Sequence, residues 1–237
     1  MILFANGCSH TAGAEIEFTE QGECYDKAWP AHLAKFLDFE DVVNLAISGA
    51  SSARIVRTTF EYFMKEMSTP SFNPKDYFCI VAWPGLYRTE IKNGGYDNGW
   101  QPLVVGNDKF YRSNLDIMSY AYYRSWTVHA EPIPQSILYL HNILLLQYFL
   151  RIHRLKYLFW SASNSAPSNA DYVHLYKHQV YSKRYPFLYN SDYSYCKLLD
   201  SNDQVYSEFS KHGHYDEKAH KWFANYLHKY LTIHKLL

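Results

Sequence analysis

The sequence holds little that would staple or anchor it. Among its 237 residues are four cysteines, Cys8, Cys24, Cys79 and Cys196, with no Cys-x-x-Cys pair. That spacing offers no disulfide framework and fits a reducing compartment. Charge of one sign is also missing: 23 Lys and Arg balance 23 Asp and Glu. A zero net charge gives no basic footprint for nucleic acid and none for an acidic membrane surface. No basic leader precedes the first apolar residues, so no signal peptide is expected. The most apolar segment, Ile133 to Leu150, is interrupted by Pro134, Gln135, His141, Asn142 and Gln147. Those polar groups are costly in lipid, and the segment reads as a buried helix rather than a membrane span. There is no internal repeat and no low-complexity tract. The expectation is one cytoplasmic domain over residues 1–237, without membrane or nucleic-acid partners.

What is present suits a globular core. Hydrophobic residues make up 48% of the chain, enough to bury a core without staples. Runs at Met1–Phe4, Asp41–Ala46, Tyr77–Trp83 and Tyr157–Ser161, mostly apolar, have strand length. Between them Trp29, Leu33, Phe36 and Leu37, then Ile55, Thr59, Tyr62, Phe63 and Met67, keep helical spacing. Pro134 to Leu150 and Glu217 to Leu231 read as two further helices. Alternating strands and helices with long connections predict an α/β fold, a mostly parallel sheet covered on both faces. From about residue 91 to 131 the periodicity fails, predicting an insertion with short strands or a lid. Residues 163–211 form an aromatic, polar loop region. The chain carries 23 tyrosines, and the run from Tyr181 to Tyr195 suits sugar stacking, a core flap or an oligomer contact.

Chemistry is signalled first at Phe4-Ala5-Asn6-Gly7-Cys8-Ser9-His10-Thr11-Ala12-Gly13. A strand that stops at a glycine and releases a serine puts a hydroxyl at the carboxyl edge of the sheet, where open α/β sheets keep their sites. The plain alternative is a turn or helix-capping serine.

Later blocks add to the signal. Trp29-Pro30 and Leu33-Ala34 open the first long helix, Val43-Asn44-Leu45-Ala46-x-x-Gly49 follows the second strand, and Gly213-His214 with His220 opens the last helix. In this order the blocks resemble the SGNH (GDSL-like) hydrolase superfamily, as a divergent member, from Met1 to about Leu231. The resemblance implies a three-layer α/β/α, flavodoxin-like fold and an ester hydrolase. It implies Ser9 as nucleophile and His214 as base, with backbone N–H groups of Ser9 and Gly49 in an oxyanion hole. It implies no cofactor or metal, and a small-acyl or glycan ester as substrate.

Two departures from the family pattern stand out. Where the family carries Gly-x-Asn-Asp after its third strand, this chain reads Trp83-Pro84-Gly85-Leu86-Tyr87-Arg88. Arg88 is the candidate replacement donor, with a surface ion pair as the plain alternative. Where the family has aspartate three residues before the histidine, this chain has Lys211. Asp200, Asp203 or Glu208 is then expected to orient His214, unless a backbone carbonyl does or the site is a Ser–His dyad. A weakened triad predicts a slow or narrow esterase. The rival is a non-catalytic module on the same fold. A zinc site drawing on His212, His214, His220, Cys8 and His10 is a further alternative, and His220 alone reads as structural.

Overall fold

The computed structural model describes residues 1–16, 22–92, 99–163, 194–201 and 213–237. Four parallel strands form its central sheet: β1 (Ile2–Asn6), β2 (Asp41–Asn44), β3 (Tyr77–Trp83) and β6 (Lys156–Ser161), in the order β2-β1-β3-β6. Ile2 pairs with Asp41 on one side and Tyr77 on the other, and Phe78 pairs with Lys156. Successive side chains of a strand point to opposite faces, so each apolar strand feeds two cores. Leu3, Ala5, Phe78, Ile80, Leu158 and Trp160 face one way, against α2 (Trp29–Phe36) and the closing helix. Phe4, Cys79, Val81, Trp83 and Phe159 face the other way, against α3 (Ser52–Met67) and α6 (Pro132–Ile152). Burial on both faces explains why β3 and β6 read as unbroken apolar runs. The result is the three-layer α/β/α fold.

The stretch between β3 and α6 has structure of its own. β4 (Arg88–Lys92) and β5 (Trp100–Val104) pair antiparallel as a separate two-stranded sheet. After it come α4 (Asp108–Asn114) and α5 (Ile117–His129), which pack Tyr111 and Tyr123 over Leu103 as a small satellite core. Periodicity is lost in this stretch because elements of five to thirteen residues bury few side chains each.

Two further helices follow β6 among the described residues, α7 (Tyr195–Asp200) and α8 (Glu217–His234). Most of the tyrosine-rich run lies outside the described residues; Tyr195 within it is buried against Phe223, Tyr215 and His10.

The strand order changes direction between β1 and β3, and in open sheets a crevice forms at the carboxyl ends beside such a point. The chain leaves β1 there. Asn6, the last residue of β1, donates to Thr58 Oγ1 (2.9 Å), Thr59 Oγ1 (3.0 Å) and the Ile55 carbonyl (3.3 Å), tying the strand end to α3. Its Oδ1 accepts from the Gly7 N–H at 2.9 Å. A Cβ on Gly7 would lie 2.4 Å from Thr11 Oγ1 and 2.9 Å from the Ala82 carbonyl oxygen, so only glycine fits this bend.

Candidate active site

Beyond Gly7 the chain enters α1 (Ser9–Ala12), a single helical turn closed by Gly13 in the left-handed region. Asn44 at the end of β2 donates to the Thr11 carbonyl (2.9 Å), so this turn is held from the neighbouring strand. Ser9 is therefore the first residue of a short helix pinned from two sides, 6% exposed. It opens onto a cavity of about 650 Å³.

The cavity brings distant parts of the chain together. Ser9, His10 and Glu15 come from the β1 exit and Gly49 from the β2 exit. Arg88 and Asn107 flank the hairpin, and His214 immediately precedes α8. Ser9 and His214, 205 positions apart, thus line one pocket. His214 Nδ1 lies 3.0 Å from Glu15 Oε2. This carboxylate holds one ring nitrogen and leaves Nε2 as the nitrogen able to take a proton.

Among the described residues, the carboxylate on His214 is that of Glu15. Asp200 instead accepts from the Tyr215 hydroxyl at 2.7 Å. Asp203 and Glu208 lie outside the described residues. Glu15 adopts φ 58°, in the left-handed region that a side-chain-bearing residue rarely occupies. A residue held there against its preference is a recurrent mark of functional sites. Periodicity and motif spacing carry no trace of such a conformation, so neither singles out Glu15.

Gly49 also has a positive φ, 76°, and no side chain stands between its backbone and the cavity. Among the described residues, neither the Ser9 nor the Gly49 N–H has a backbone acceptor. Arg88, half-buried at the start of β4, donates to the Ala50 carbonyl at 3.5 Å. Residues 84–92, directly after β3, carry no asparagine. Asn107, which follows β5, lines the pocket instead.

His10 forms the wall between these groups. Its ring packs 5.2 Å from that of His214. Nε2 lies 3.6 Å from Cys196 Sγ, and that thiol reaches the Ala162 carbonyl at 3.0 Å. A thiol donating to Ala162 accepts from Nε2–H, leaving His10 Nδ1 buried without a partner. Burial, reinforced by the charges of His214, Arg88 and His220, pushes the His10 pKa well below its ordinary value.

His220 has a different task. Fully buried, it accepts the Trp29 N–H through Nδ1 at 3.1 Å. Ala28, the cap residue of α2, provides no side-chain acceptor, so α8 caps α2 through this histidine. Burial lowers its pKa to about 3, with smaller contributions from His32 and His214. An imidazole committed to a backbone N–H is not oriented toward a metal shared with His214. Among the described residues no three His, Cys, Asp or Glu side chains are grouped to hold a metal ion.

Solved structures share this architecture. A G-D-S-L family lipolytic protein from Veillonella parvula DSM 2008 matches with a TM-score of 0.50 and 12% identity, over 100% of both chains. TesA matches at 0.51 and 13%, again over 100% of both chains. A protein described as lipolytic and of the same G-D-S-L family, from Desulfitobacterium hafniense DCB-2, matches at 0.51 and 12%. It is covered over 99% of its length, and this chain over 97%. The fold is that of the SGNH (GDSL-like) hydrolases, in divergent form. Among curated proteins, none matches the sequence. The chain belongs to the family of unknown function DUF6071, whose model matches residues 15–234. That span includes Glu15 and His214 and begins six residues after Ser9. No helix among the described residues is long and apolar enough to cross a membrane.

Proposed function

We propose that this protein is a serine esterase with a Ser9–His214–Glu15 triad, acting on a small-acyl or glycan ester. The observation that carries the proposal is the shared cavity, in which Glu15 holds His214 Nδ1 and Ser9 stands at the other wall. In this reading His214 Nε2 takes the Ser9 hydroxyl proton as Oγ bonds to the ester carbonyl carbon. The tetrahedral oxyanion is met by the Ser9 and Gly49 N–H groups, with Arg88 as a cationic donor in place of the family's asparagine. As the carbonyl re-forms, the alkoxide leaves with the proton from His214. Water then attacks the acyl-serine, giving its proton to the same nitrogen, and the carboxylic acid departs with Ser9 restored. No cofactor enters these steps.

The test combines a fluorophosphonate probe with p-nitrophenyl acetate and butyrate. Covalent labelling of the wild type, lost in Ser9→Ala with at least about a thousandfold fall in turnover, is the expected outcome. Absence of labelling and of turnover would favour a binding module on the same fold.

A further inference from the structure

Arg88 carries a charge that the pocket does not neutralise. Among the described residues its guanidinium has one hydrogen-bond partner, the Ala50 carbonyl at the outer limit of 3.5 Å. Among the described residues, no carboxylate stands within ion-pairing distance of it. Among the described residues, the carboxylates that line the cavity are engaged elsewhere: Glu15 with His214 (3.0 Å), and Glu23 with the Ser48 N–H (3.1 Å). The contrast with Arg57, one helix away, is direct. Arg57 is clamped to Glu90 through two hydrogen bonds of 3.0 and 2.8 Å.

Surroundings on the Arg88 side add to the positive potential. Ala50 lies just ahead of α3, a sixteen-residue helix with no acidic side chain in its first turn. Its dipole therefore meets no counter-charge there. Arg88 is a permanent positive charge near His10 at the pocket wall. Asn107, across the hairpin, adds an amide to the same rim. A half-buried arginine kept without a carboxylate suits a planar anion, since its fork offers paired donors to a carboxylate or phosphate.

We infer that the preferred substrate is an ester carrying its own permanent anion, a carboxylate or phosphate, which Arg88 receives while the ester lies over Ser9. This rests on the esterase reading of the pocket. It makes Arg88 a specificity determinant as well as a donor in the reaction.

The experiment uses two matched pairs of esters on the full-length protein. One pair is the p-nitrophenyl half-ester of succinate and p-nitrophenyl pentanoate, placing the charge on the acyl side. The other is 4-acetoxybenzoate and its methyl ester, placing it on the alcohol side. In at least one pair the anionic member should have a kcat/KM about tenfold higher or more. That ratio should collapse toward one in Arg88→Met and shrink in 0.5 M salt. Ser9-dependent turnover without an anionic preference in either pair would overturn the inference and leave the esterase reading standing. Should Ser9-dependent turnover be absent altogether, the esterase reading fails, and calorimetric titration with succinate and with inorganic phosphate decides the anion site. Saturable binding lost in Arg88→Met supports it; no binding overturns it.

Discussion

At the scale of single residues, the proposed reaction rests on a contact between side chains 199 positions apart. Glu15 and His214 are both mostly buried, at 22% and 17% side-chain exposure, and 3.0 Å apart. A carboxylate in this place fixes the tautomer of the histidine and stabilises the imidazolium that forms during attack. Glu15→Gln should therefore lower kcat by about a hundredfold to ten-thousandfold with little change in KM, read from steady-state ester hydrolysis. Asp200→Asn touches Tyr215 rather than the pocket. It should lower the melting temperature slightly and leave the KM of the ester unaltered. A result in which Asp200→Asn is the crippled variant and Glu15→Gln the normal one would reverse the assignment.

At the scale of elements, the proposed reactive groups stand on connections whose ends are fastened to the sheet and its helices. Asn6 is the strongest such fastening, since its amide and carbonyl together make four hydrogen bonds in a fully buried position. Asn6→Ala removes the partners of Thr59 Oγ1 and of the Gly7 N–H. Unsatisfied buried groups of this kind cost about 1–3 kcal/mol, and a urea unfolding midpoint will show the loss. The same change frees the turn that carries Ser9, so turnover should fall beyond what the remaining folded fraction explains.

The hairpin is fastened separately. Arg57 on α3 grips Glu90 on β4, and its guanidinium also lies 4.6 Å over the Trp100 ring on β5. The Glu90 side chain is 6% exposed and that of Arg57 16%. Losing the Glu90 charge leaves Arg57 to the more exposed Glu61 carboxylate at 3.3 Å on its own helix, which does not hold the hairpin. Glu90→Gln should loosen the hairpin, and with it the placement of Arg88 two residues earlier. The expected readout is a raised KM with a smaller effect on kcat.

At the scale of the whole molecule, two buried histidines give stability a direction with pH. His220 has a pKa near 3 in the folded state against an ordinary 6.5, with burial as the main cause. The unfolded chain thus binds a proton that the folded chain refuses. Stability is complete above about pH 6.5 and declines as pH falls from there toward 3. Between pH 6.5 and 5 this one group accounts for about 2 kcal/mol, and His10 acts in the same sense. Urea unfolding followed from pH 7.5 to 5.0 should show the decline, and His220→Gln should flatten it. A stability that rises on acidification would contradict the buried, neutral assignment.

The sequence by itself determined the layers. Strands and helices announce themselves through periods of two and 3.6 residues, and both periods are local. Burial on both faces leaves β1, β3 and β6 as apolar runs, while α2, α3 and α8 each keep one apolar stripe. Gly7, Ser9, Gly49 and His214 stand out in the sequence as well, because each follows or ends a periodic element. Only the tertiary structure decided the partners: Glu15 for His214, His220 for the start of α2, and Arg88 with Asn107 at the pocket rim. Each of these depends on a backbone angle or a long-range approach, and neither leaves a period in the chain.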